Sequence, residues 1–215
     1  MNMFKEKKYL VIKNAISFEL ANFALNYLLL KRDAVAWTYK NNFLSKFTPG
    51  YGTWEDRQVP NTYSIYGDFF METLLMKALP IMEKHTELKL VPCYSYVRAY
   101  KKGDILRRHK DRPGCEISTT LHLGGDKWPI YLDTTGATSV LDEYKNIHKP
   151  NAPKGIQVDL NIGDMLVYSG CDLEHWREPF QGDNCAQVFL HYNNMDGPFG
   201  TQNKFDKRPL LGISK

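Results

Sequence analysis

Between Arg107 and Glu116 the chain reads RRHKDRPGCE, with His109 and Asp111 one residue apart inside a run of basic side chains. Successive residues of a strand point to opposite faces, so a His-x-Asp pair on a strand or its edge presents both side chains to one side. Two histidines and one carboxylate on one face of an octahedron form the donor set of non-haem Fe(II) sites, with the opposite positions open. His109 and Asp111 offer two of these donors, and a third must come from a distant strand folded back beside them. The other histidines are His85, His122, His148, His175 and His191. His175 fits best, because it ends GDMLVYSGCDLEH, which reads as a turn, an apolar strand and a short loop. His148, before Lys149-Pro150, reads as loop, and packing accounts for His191 inside an aromatic strand. A bare H-x-D is weak evidence, and His85-Thr86-Glu87 has a similar form at a solvated helix end.

The elements that must position these residues change character along the chain. Ser17 can cap a helix in which Leu20, Phe23, Ala24, Tyr27 and Leu28 form an apolar stripe, ending near Arg32-Asp33. A second helix starts at Asp68, with Met71, Leu74, Leu75 and Ala78 on one face, and Pro80 bends or restarts it. Between them, Asn41 to Tyr63 is rich in Gly, Pro and aromatics and suits a long loop or lid, with Trp54 its best candidate for touching substrate. From Leu88 the pattern becomes period two: Tyr94, Tyr96, Arg98 and Tyr100 alternate with Cys93, Ser95, Val97 and Ala99. Further strands are expected at 117–123, 129–132, 155–160, 164–168 and 187–192, separated by turn residues. Many short strands at near-regular spacing argue a sandwich, jelly roll or barrel. The reading is one domain over 1–215: helical support and lid at 1–87, an all-β core at 88–195, and irregular chain at 196–215.

Composition sets the outer bounds. Hydrophobic residues at 43% and charged residues at 24% describe an ordinary globular chain. A net charge of +4 is too mild to imply nucleic-acid binding without a patch. No apolar run approaches the roughly 18 residues of a bilayer span, and the opening MNMFKEKKYL lacks a signal-peptide core. The four cysteines form no C-x-x-C pair and read as free thiols in a reducing cytoplasm.

Three segments in order, YVRAYKKGDILRRHKD, EISTTLHLGGD and GDMLVYSGCDLEHWREP, make the chain resemble the Fe(II)/2-oxoglutarate-dependent dioxygenase superfamily, most nearly its prolyl 4-hydroxylase-like branch. The resemblance covers about Leu88 to Asn194, and YLVIKNAISFEL looks like the start of such domains. It implies a mainly β protein with flanking helices around a double-stranded β-helix, a jelly-roll or cupin-like core. It also implies iron at His109, Asp111 and His175, with 2-oxoglutarate and O2 as cosubstrates and ascorbate as a possible reductant. The expected reaction hydroxylates a peptidyl residue, proline favoured, or a free amino acid or small metabolite, releasing succinate and CO2.

One departure bears on the cosubstrate. The family carries an Arg or Lys roughly ten residues after the distal histidine, and here that stretch is GDNCAQV, with Cys185 and Gln187 near the position. A dicarboxylate still needs a cation, ideally a bidentate guanidinium. Arg177, on the same strand face as His175, is the first candidate, against an ion pair with Glu178. Arg98 and Tyr100 follow, then His122 and Gln187. At the substrate mouth Arg112 and Glu116 are the residues expected to make contact, with Lys101, Lys102, Arg107, Arg108 and Lys110 forming a solvated or anion-attracting rim. Two other readings stay open: a dioxygenase that oxidises or demethylates nucleic acid, and a cupin-like metal-binding module without 2-oxoglutarate chemistry.

Overall fold

The computed structural model describes residues 3–213. In chain order the helices and strands are α1 (Met3–Lys7), β1 (Tyr9–Ile12), α2 (Phe18–Lys40), β2 (Tyr63–Tyr66), α3 (Phe69–Thr86), β3 (Leu90–Lys101), β4 (Leu106–His109), β5 (Ile117–Gly125), β6 (Ile130–Leu132), β7 (Val140–Asp142), β8 (Ile147–His148), β9 (Ile156–Val158), β10 (Met165–Ser169), β11 (His175–Arg177) and β12 (Asn184–Asn194). All strand pairs are antiparallel, in a six-stranded sheet ordered β1-β10-β5-β12-β3-β2 and a four-stranded sheet ordered β4-β11-β6-β9. A small β7-β8 hairpin stands apart. This is the expected jelly roll, a double-stranded β-helix with helices outside it. No helix of the described residues is long and apolar enough to cross a membrane.

The six-stranded sheet separates two environments. On one face Val97, Ala99, Leu121, Val188 and Leu190 pack against Ala24 and Leu28 of α2 and Leu75 and Ala78 of α3. On the other, Tyr94, Tyr96, Arg98, Phe189 and His191 share a cavity with residues of the smaller sheet. The alternation read along β3 therefore divides support from site, because pleated neighbours face opposite ways.

Three local readings change. α2 runs on to Lys40, since Arg32-Asp33 is a charge pair and not a stop, and the residues after it are compatible with helix. Its inner stripe is Ala21, Ala24, Leu28 and Val35, while Phe23 is exposed. α3 remains one helix through Pro80. The first third is also less purely helical than expected, because β1 and β2 form the two edges of the larger sheet.

Carboxylates tie the outer parts together. Asp68 accepts the backbone N–H groups of Phe70 (3.0 Å) and Met71 (3.1 Å), capping α3. Its other oxygen accepts Tyr27 Oη (2.7 Å) and Lys31 Nζ (2.6 Å) from α2. In the C-terminal segment the Arg208 guanidinium, itself buried, bonds Glu72 of α3 and stacks 4.9 Å over Tyr66. Breaking one side of such a buried pair leaves an uncompensated charge. Arg208→Met is expected to lower stability by about 3–5 kcal/mol, read as a lower urea midpoint at unchanged slope.

Candidate metal centre

β4 and β11 pair antiparallel with His175 opposite His109. This register puts the two imidazoles side by side, with ring centroids 4.2 Å apart. Asp111, just beyond β4, is held by its N–H donating to Gly170 O (2.9 Å). Its Oδ1 lies 3.7 Å from His109 Nε2 and 3.6 Å from His175 Nε2. The donor atoms of the three residues all lie within 4.8 Å of one another. β11 was not expected as a separate strand; His175 opens it in the smaller sheet after the chain leaves β10 in the larger one.

Both imidazoles are oriented by the backbone. His109 Nδ1 stands 2.7 Å from Arg107 O, and His175 Nδ1 stands 3.0 Å from Leu173 O. A carbonyl only accepts, so each Nδ1 carries the proton and each Nε2 keeps a lone pair facing Asp111. Burial, then neighbouring His175, pushes the His109 imidazole down to about 4. Burial would raise the Asp111 carboxyl, but the surrounding histidines, His175 first and then His109 and His191, together outweigh it and hold the acid well below its usual range. For His175, burial lowers the pKa, but Asp111, Leu173 O and Glu143 together outweigh it and the pKa is raised.

The second oxygen of Asp111 accepts Ser118 Oγ at 2.7 Å, and Ser118 Oγ lies 3.0 Å from His191 Nδ1. Ser118 and His191 are both buried. Gly170 closes the rear of the carboxylate. A Cβ there would lie 2.3 Å from Asp111 Oδ2, 2.4 Å from Cys115 O and 2.7 Å from Ser118 Oγ, so no larger residue fits without displacing Asp111. Hydrogen bonds of this kind fix ligand orientation in metal sites.

The three donors open onto a cavity of about 400 Å³ walled by Tyr94, Tyr96, Leu106, Tyr168 and Phe189. The 41–62 loop enters it through Asp56 and Gln58, not through Trp54. Trp54 packs against Tyr63 and the helix-side core and lines a different hollow, away from the histidines. Gln58 Nε2 donates to His109 Nε2 at 3.0 Å, and Asp56 accepts Arg98 Nη2 at 2.7 Å. Glu143 and Tyr144, between β7 and β8, complete the mouth. The sequence marks the 41–63 loop as a lid by composition, but not which of its residues turn inward.

The remaining expected residues divide by position. Arg98 lines the cavity, while Arg177, Tyr100, His122 and Gln187 lie outside its wall in a buried polar cluster. Arg177 is 1% exposed and, among the described residues, no carboxylate pairs with it. Glu178 instead accepts Trp176 Nε1, so the expected alternative of an Arg177–Glu178 pair does not form. The guanidinium donates to Trp128 O and to Thr120 Oγ1 (3.1 Å), leaving Nε without a partner. Burial depresses its pKa, partly countered by Cys185, Tyr100 and Tyr168. Tyr168 also lines the cavity and packs 4.7 Å from the His175 ring, so it joins the two regions. Thr120 Oγ1 donates to Gln187 Oε1 (3.0 Å), and Gln187 Nε2 donates to His122 Nδ1 (2.9 Å). Burial, then Arg177, pushes His122 down to about 4.

The two residues expected at the substrate mouth are committed elsewhere. Glu116 is buried away from the cavity and accepts Asn193 Nδ2 (3.2 Å) and Asn194 N (2.9 Å). Arg112 lines the cavity but forks onto Asp206 at 2.8 and 3.0 Å. The basic rim is largely internal wiring. Arg108 is buried among Asp133 (2.8 Å), Glu174 (2.7 Å) and Pro153 O (2.6 Å), and Lys101 pairs with Asp104.

No protein-family model and no curated protein sequence matches the chain. Comparison of structures finds many similar folds. A Pseudomonas putida prolyl-4-hydroxylase superposes with a TM-score of 0.58 at 14% identity, covering 89% of this chain and 95% of that one. HygX from Streptomyces hygroscopicus, with nickel, 2-oxoglutarate and hygromycin B bound, gives 0.58 at 13% identity over 89% and 85%. A Trichoplax adhaerens prolyl hydroxylase, in complex with a hypoxia inducible factor oxygen degradation domain peptide fragment, gives 0.55 at 14% over 89% and 86%. At these identities the likeness shows a shared fold: the chain is built like the 2-oxoglutarate oxygenases.

Proposed function

We propose that the chain is a non-haem Fe(II), 2-oxoglutarate-dependent dioxygenase. The observation that carries this reading is the convergence of His109 Nε2, Asp111 and His175 Nε2 on one point at a cavity wall, with both Nδ1 atoms committed to backbone carbonyls. Two neutral imidazoles and one carboxylate, all oxygen and nitrogen donors, suit ferrous iron. Bound there, Fe(II) with 2-oxoglutarate and O2 supplies the oxidising power to place one oxygen atom on a C–H bond and the other in succinate, with loss of CO2.

The protein's own residues hold and exclude. Arg107 O and Leu173 O fix the two rings, and Ser118 and Gly170 fix the carboxylate. Arg177 is assigned to the far carboxylate of 2-oxoglutarate. A buried guanidinium with no anion and an unpaired Nε is costly, and a bound carboxylate offsets that cost. The neighbouring Tyr100 hydroxyl also lacks a well-formed hydrogen bond and can share the same anion. Arg98 is the weaker candidate, because Asp56 already neutralises it. Tyr94, Tyr96 and Phe189 narrow the cavity against bulk water, as competing chemistry requires.

The substrate in this reading is a peptidyl residue, proline favoured, or a free amino acid or other small metabolite. Its support is the similarity of fold to one protein holding a peptide and to another holding hygromycin B. No observation favours the nucleic-acid reading, since Arg108, Lys101 and Arg112 are engaged within the chain. Four unpaired cysteines suit a reducing compartment, the cytoplasm in this reading.

Anaerobic addition of Fe(II) and 2-oxoglutarate is expected to produce a weak visible charge-transfer band, which His109→Ala and His175→Ala each abolish. Iron binding without the band points instead to a cupin-like module. Titrating the same band, Arg177→Met is expected to weaken 2-oxoglutarate binding by about tenfold to a hundredfold, the loss of one charged hydrogen-bonding partner. An unchanged affinity removes Arg177 from the role.

A further inference from the structure

α2 has two apolar faces, and the fold covers one. At 3.6 residues per turn, Ala21, Ala24, Leu28 and Val35 fall within roughly 60° of arc, and all four are buried against the larger sheet. Phe23, Leu30 and Trp37 recur every seven residues within roughly 40° of one another, on the side opposite Leu28. Their exposures are 62%, 73% and 58%. Exposed Ala34 and half-buried Tyr27, which stacks on Phe70 of α3 at 4.9 Å along the edge of this face, fall between them, so the steps along the helix are four, three, four and three residues. That is the spacing of a coiled-coil seam, and a helix with one covering layer needs only one apolar stripe. Phe43, 69% exposed, stacks on Trp37 at 5.3 Å and broadens one end of the stripe.

We propose that this seam is a self-association surface, on which α2 of a second copy of the chain packs antiparallel about a two-fold axis near the middle of the helix. Charge selects both the occupant and its direction. Glu19 and Lys40 lie on the same flank of the stripe, at opposite ends of α2, and both are exposed. Neither makes an ion pair within the chain among the described residues. An antiparallel partner brings each Glu19 to the Lys40 of the other copy, giving two pairs at the two ends of the seam. A parallel partner puts the two Lys40 side chains at one end on opposite flanks of the seam, and the two Glu19 side chains likewise at the other, so neither pair forms. A two-fold contact is self-complementary, and one helix carrying an acid at one end and a base at the other meets that condition. In register, Trp37 covers Leu20, Phe23 covers Ala34, and Leu30 covers Tyr27, large against smaller at each layer.

Sedimentation equilibrium of the purified chain tests this. The wild type is expected to be a dimer at micromolar concentration, and Leu30→Glu a monomer with an unchanged circular dichroism spectrum and urea midpoint. Because Leu30 is on the surface, a folded monomer is the readable result, and a dimeric Leu30→Glu protein overturns the proposal. Glu19→Lys and Lys40→Glu are each expected to weaken dimerisation by about tenfold, two exposed pairs turned repulsive. The double variant, which exchanges the charges, is expected to restore it. A double variant no tighter than the singles overturns the antiparallel arrangement. A wild type that stays monomeric at hundreds of micromolar overturns self-association and leaves the face to a different protein.

Discussion

The pairing of His175 opposite His109 across β4 and β11 is the constraint on which the rest of the site depends. A one-residue slip in that register would turn one imidazole to the far side of the sheet. The register is guarded from the opposite face. Arg108, next to His109, is clamped by Glu174, next to His175, and by Asp133 beyond β6, and it stacks 4.2 Å over Trp176. Every member of this buried group is hydrogen-bonded, the condition under which buried ions specify one arrangement. The site face and the ion face of these strands thus enforce the same alignment.

The two sheets divide the work. The smaller contributes both histidines on short strands, and the larger contributes the aromatic wall, the Ser118 support and, through β3, Arg98. Helices α2 and α3 brace only the outer face of the larger sheet. The chain after β12 returns to lock this arrangement: Asp206 takes the Arg112 fork and the Tyr66 hydroxyl (2.6 Å), while Arg208 reaches Glu72. A segment without periodicity therefore carries some of the most deeply buried charge in the molecule.

Much of this arrangement is legible in the amino-acid sequence. The period-two run of β3 and the turn residues between strands indicate an all-β core of short strands, because alternation and turn chemistry are local properties. The jelly roll in particular, and the iron set of His109, Asp111 and His175, rested on the resemblance carried by the three motif segments, although the order of elements already pointed to His175 as the third donor. What failed was anything that depends on where a side chain is aimed by distant chain. Trp54 and Asp56 are two residues apart in one loop, and nothing local says that the aspartate turns inward to Arg98 while the indole turns to Tyr63. Arg112 and Glu116 look like mouth residues until Asp206 and Asn193, near the other end of the chain, claim them. Arg177 was legible as a cation in the right direction; that it has no acid beside it is a fact of tertiary structure alone.

Gly170 gives the site a directional tolerance to change. In front of the histidines the walls are side chains and loops, which can be exchanged for others of different size or charge at a cost confined to what the cavity admits. Behind Asp111, Cys115 O and the Ser118 hydroxyl close so tightly on Gly170 that no added methyl group fits. Substitution can therefore remodel what the cavity admits, while the rear of the carboxylate stays closed to variation. The donor set is fixed from behind and the cavity is free in front.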